Sequence, residues 1–171
     1  MMKKTYLIVC LFLSFSISAT EPSRTETIAI LGLGALRSVF SFLKESSTEK
    51  ERDIFTLAEK KLPLNDKDFP LSLVPHLDTS LCKSIFETES SEQLESTIKE
   101  WGQENDLSFE EAQQAFIKTK GYFAEASITF MAITRKNIKK YSLGEIEAII
   151  HVAKTLREHV LHLSKFEGIG K

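Results

Sequence analysis

The chain has 171 residues, 42% of them hydrophobic and 27% charged, with seven Gly, four Pro and two Cys. That is too short for several domains, too apolar for a disordered chain and too poor in Gly and Pro for a fibrous one. With 22 basic against 24 acidic side chains the formal charge is −2, so no global basic field points to nucleic acid.

The first twenty residues, MMKKTYLIVCLFLSFSISAT, have the layout of a secretory leader. Lys3 and Lys4 supply a positive start, Leu7 to Leu13 an apolar run, and Ser16 to Ala19 a mostly small stretch for cleavage. The expected cut follows Ala19, with Ser18 as the neighbouring alternative, which makes 1–19 a signal peptide and 20–171 one helical domain. The apolar run is shorter than the roughly 20 residues a bilayer requires, which argues against an uncleaved anchor. A bacterial periplasm is the expected destination and secretion the alternative. Cys10 leaves with the leader, so Cys82 is alone and no internal disulfide forms. A domain of this size buries about two-thirds of its unfolded surface and needs no staple.

After the leader, apolar residues recur at helical spacing. Residues 28–43 place Ile28, Leu31, Ala35, Val39 and Phe42 on one stripe with Leu36 and Leu43 beside it, and Arg37, Ser41 and Lys44 opposite. So wide an apolar arc belongs to a central core helix or to one that seeks a membrane. Gly32 and Gly34 each cost about 1 kcal/mol of helix propensity but admit a close neighbour.

Thr48 and Glu51 form a capping-box pattern that opens a helix over 49–61, with Ile54, Leu57 and Ala58 expected inside. Pro63, Pro70 and Pro75 then punctuate an ordered crossover. Asp78 caps a short helix carrying Leu81, Cys82, Ile85 and Phe86, and Ser90 or Ser91 starts the next, with Leu94, Ile98 and Trp101 inward.

Ser108 and Glu111 open a long helix over 109–139 whose seam runs Phe109, Ala112, Phe116, Thr119, Phe123, Ala126, Phe130, Ile133. Gly121 in its middle marks a place for a bend. Ser142 and Glu145 open the last helix, to about Lys165, burying Ile146, Ile149, Val152, Ala153, Leu156, Val160 and Leu163. The short basic turn at 137–142 makes the two an antiparallel αα-hairpin. The fold class is all-α, a small bundle of about six helices with this hairpin at its C-terminal end.

Charge is uneven. Residues 87–111 carry nine acidic side chains against Lys99 alone, and residues 118–165 carry nine basic against four acidic. Glu92, Glu95, Glu100 and Glu104 are the expected protein-binding surface, because opposite patches steer association. Arg135, Lys136, Lys139 and Lys140 form a basic patch that a helix C-terminus alone would favour. Four basic residues in an acidic chain are weak grounds for nucleic acid, though peripheral contact with anionic lipid stays open.

His76, His151, His159 and His162 are the candidates for metal or acid–base chemistry. On a helix, Glu147, His151, Glu158 and His162 share a face opposite the apolar stripe, while His159 lies at the core margin. His151 and His162 stand about 16 Å apart along the axis and cannot share an ion within one helix. A zinc site would need further ligands from elsewhere, and HExxH is absent. Cys82, between apolar neighbours, reads as a small buried hydrophobe. GLG at 32–34 lacks the preceding strand and third Gly of a dinucleotide loop. Residues 100–111 end like a calcium loop but carry Asn105 where Gly is required.

No catalytic set, metal or cofactor emerges. The expectation is an exported, non-enzymatic helical protein that binds another protein, as inhibitor, immunity, adaptor or assembly factor. The alternatives are membrane association through 28–43 and a histidine-dependent metalloenzyme or hydrolase. The oligomeric state is not legible.

Overall fold

The computed structural model describes residues 24–62 and 74–166, with side chains from Ile30 onward. The leader, most of the proline-punctuated crossover and the tail beyond Phe166 lie outside the described residues.

Among the described residues six α-helices and one 3-10 turn follow in order: α1 Arg24–Glu45, α2 Glu49–Glu59, α3 Thr79–Phe86, α4 Ser91–Glu104, α5 Phe109–Asn137, η1 Ile138–Lys140 and α6 Leu143–Ser164. The all-helical bundle with α5 and α6 in close antiparallel contact matches the expectation. Four helices close a ring: α1 packs on α5, α5 on α6, α6 on α2 and α2 on α1. The shorter α4 docks on α5 and carries α3 with it.

Helix starts follow the local signals in the sequence. Thr48, Ser90, Ser108 and Ser142 each complete a capping box, with Glu51, Gln93, Glu111 and Glu145 as reciprocal partners. Asp78 caps α3 through the Leu81 N–H at 2.8 Å. Burial works to raise the Asp78 carboxyl, but hydrogen bonds from Ser80 and the Leu81 N–H outweigh it and hold the group low. Ser80 Oγ also accepts from Trp101 Nε1 at 2.9 Å, tying α4 to the start of α3.

The α4–α5 turn spans residues 102–108. Leu107 N–H returns to Gly102 O at 2.8 Å and Asp106 N–H to Gln103 O at 3.4 Å, a Schellman closure. Asp106 therefore sits in the left-handed region at φ 55°. A Cβ at Gly102 would stand 2.9 Å from the Ala112 Cβ, so this turn is drawn tight against α5. Helix end, turn and capping box together take up the stretch that superficially resembles a calcium loop.

The core is aromatic. Phe40 on α1 meets Phe55 on α2 edge-on at 6.3 Å and Phe130 on α5 at 5.9 Å. Phe42, two residues on, meets Phe123 on α5 and Phe86 on α3 at 5.9 and 6.0 Å. Helix α1 is thus buried on nearly every side in its second half, the core-helix alternative of the two that its wide arc allowed. Gly32 is buried against α5, where an added Cβ would lie 3.0 Å from Glu125 Oε1 and closer still to Thr129 Oγ1.

Two inward assignments need correction. Leu31 is 57% exposed. It points the same way as Phe42, but about 16 Å earlier along α1, where nothing equivalent to Phe86 covers it. On α2, Phe55 and Ala58 are buried while Leu57 is exposed, because the Phe55 ring is the one that enters the gap between Phe40 and His151. The α5 seam is buried at Ala112, Phe116, Thr119, Phe123, Ala126 and Phe130 as expected, and the helix runs unbroken through Gly121.

A non-glycine residue in the left-handed region carries about 1–2 kcal/mol of strain, less for Asp. Asp106→Gly relieves it at some entropic cost, so a net gain of about 0.5 kcal/mol is expected. Thermal unfolding checks it: Tm should rise by about 1–3 °C, and a fall would mean that the Asp106 side chain itself stabilises the turn.

Candidate functional site

Two surfaces hold the sequence-predicted residues and a third region gathers groups that sequence reasoning kept apart. Glu92, Glu95, Glu100 and Glu104 are all exposed on α4, whose inner face is Leu94, Ile98 and Trp101. Among the described residues the ion pairs are Lys44–Glu59 and Lys61–Glu145, and neither joins the acidic stretch to the basic one. The one side-chain partner on this face is Ser96 Oγ, which donates to Glu100 at 2.9 Å. Arg135 and Lys136 end α5, and Lys139 and Lys140 lie in η1, all exposed.

The third region is a cleft of about 310 Å³ where α1, α2, α3 and α6 converge. Phe42, Leu43, Phe55 and Phe86 give it apolar walls, and Glu51, Lys83, Glu87 and His159 bring titratable groups. His159, expected at the core margin, is thus part of the cleft's lining. His76 and Cys82 do not join it: His76 is exposed and donates from Nδ1 to Leu77 O at 2.9 Å.

The histidines of α6 are not a solvent face. His159 stacks on Phe123 at 5.5 Å and meets Phe86 edge-on at 4.4 Å. Its Nδ1–H donates to Thr155 O at 2.7 Å. His162 touches Phe86 and Phe166, and its Nε2–H donates to Ile85 O at 3.0 Å, a second bond to a carbonyl near the end of α3 that also accepts from the Thr88 N–H at 3.2 Å. His151 lies against Phe55 at 5.8 Å with Nε2 buried and unpartnered. On the face opposite the main stripe Glu147 and Glu158 are exposed, while α2 partly covers His151 and α3 partly covers His162. The neighbouring Phe86 and Phe166 carried no periodic signal that announced this.

Glu51, Ser47, Thr155 and His159 in the cleft are held by structural duties. Burial pushes the His159 imidazole below its usual range, against the opposing pull of Thr155 O and the Glu158 charge. Thr155 Oγ1 donates to His151 O at 3.1 Å, and Ser47 Oγ donates to Leu43 O. Glu51 is held low first by the Thr48 hydroxyl and then by the Thr48 N–H. Cys82 is fully buried on α3, and burial pushes its thiol up to about 12, so it stays protonated at neutral pH. Among the described residues no three His, Cys, Asp or Glu converge on a metal position.

The His159 shift has a defined sign. Its folded value is below the ordinary 6.5, so its contribution is complete above about pH 6.5 and is lost as pH falls toward the folded value. Urea unfolding should therefore show stability declining as pH falls below about 6.5. His159→Gln should flatten that slope; an unchanged slope would place the titration elsewhere.

Comparison of the chain with protein-family models, with curated proteins and with solved structures gave no match.

Proposed function

We propose that the chain is an exported helical domain that works by binding another protein rather than by catalysis. The observation that carries this reading is the outer face of α4. Glu92, Glu95, Glu100 and Glu104 stand in solvent without a lysine or arginine partner among the described residues. These four carboxylates thus keep their charge for an external cation. A partner with a basic surface is the matching chemistry, with inhibitor, immunity, adaptor and assembly-factor roles all compatible.

The membrane-associated alternative loses its main support. The apolar arc of α1 is spent inside the bundle on Leu36, Val39, Phe40, Phe42 and Leu43. Among the described residues no helix is long and apolar enough to cross a membrane. Export rests on the leader, and the mature protein should begin at Thr20; N-terminal sequencing of material from the envelope fraction checks this, and a chain retaining Met1 would refute it.

The binding test compares the wild type with Glu92→Lys/Glu95→Lys/Glu100→Lys as bait for the native envelope fraction. At about 0.05 M salt the wild type should retain a basic partner that elutes by about 0.3 M, where screening shortens the reach of surface charge. The reversed variant should lose that partner while keeping its helical circular dichroism. The same protein captured equally by both would remove this face from the interaction.

A further inference from the structure

Helix α5 carries two seams. One is the core seam. The other recurs at spacings of four and three on Ile117, Gly121, Ala124, Ile128 and Met131, about 130° round the helix from the first. Ile117, Ile128 and Met131 are 36%, 66% and 39% exposed. At Gly121 nothing lies within 4 Å of a Cβ built there, so the backbone is open to close approach. A heptad of apolar residues facing solvent over four turns is the pattern of a helix that meets another helix.

The ends of the seam say which helix. Continuing the same spacing, Glu110 falls at its N-terminal end and Arg135 at its C-terminal end. Both are exposed, and neither has an ion-pair partner among the described residues. We propose that α5 pairs antiparallel with α5 of a second copy of this chain, through the Ile117–Met131 seam, with Glu110 of each copy against Arg135 of the other.

One register satisfies every layer. With Glu110 opposite Arg135 of the second copy, Gln114 meets Met131, Ile117 meets Ile128, and Gly121 meets Ala124. The small residues then fall at the two-fold axis, where the helices approach most closely, and the large ones to either side. A parallel pairing would set Glu110 on Glu110 and Arg135 on Arg135, so like charges select against it. The arrangement is isologous and closes, leaving no repeating edge. It uses a different surface from the acidic face of α4 and stands independently of the proposed function.

Sedimentation equilibrium of the purified protein tests it. The wild type should show a concentration-dependent dimer, and Ile128→Glu should be monomeric with unchanged helical circular dichroism. Glu110→Arg and Arg135→Glu should each weaken the dimer about tenfold or more, and the double variant should restore it. The α4 charge reversal should leave the dimer intact. A wild type that stays monomeric to roughly millimolar concentration, a dimer indifferent to Ile128→Glu, or a double variant no better than the singles would each overturn the proposal.

Discussion

Two phenylalanines two residues apart on α1 organise the bundle. Because α-helical geometry turns them about 160° from one another, Phe40 enters the gap between α2 and α5 while Phe42 enters the gap between α5 and α3. One helix therefore holds both the four-helix ring and the smaller α3–α4 pair. Losing either ring opens a cavity that the surrounding helices cannot refill, a cost of about 3–5 kcal/mol. That is a large part of what a domain has to lose.

The cleft beside α1 is best understood as a by-product of this arrangement in which Glu51, Thr155 and His159 already serve the fold. His159 and His162 carry their protons on different nitrogens, each aimed at a backbone carbonyl on a different helix. Such fixed hydrogen bonds orient the rings against Phe86 and Phe123, and amphipathic rings suit a wall that is apolar on one side and wet on the other. The exposed charges of α4 and the second seam of α5 have no comparable duty within the fold. The case for binding therefore rests on surfaces that the bundle does not consume.

Much of this was legible in the chain. Capping boxes are local, so Thr48, Ser108 and Ser142 announced helix starts that the structure keeps. The α5 core seam was readable because it continues for more than six turns without ambiguity. What failed was the question of which second face is covered. Phe40 and Phe55 lay off the stripes that periodicity emphasised, and Leu31 lay on one; packing by neighbours distant in sequence decided all three. His159 and His162 failed for the same reason, since their burial depends on α3, an eight-residue helix more than seventy positions away. The outer seam of α5 was present in the spacing but masked by the stronger one beside it.

Helix α6 is fastened at both ends to chain made much earlier. Near its start Glu145 completes the cap and also pairs with Lys61; near its finish His162 seats on the carbonyl of Ile85. Helix α6 is therefore the clasp of the ring, because it is the element that joins α5 to α2. The two fastenings stand about 25 Å apart along the axis, so fraying at one end of α6 leaves the other seated.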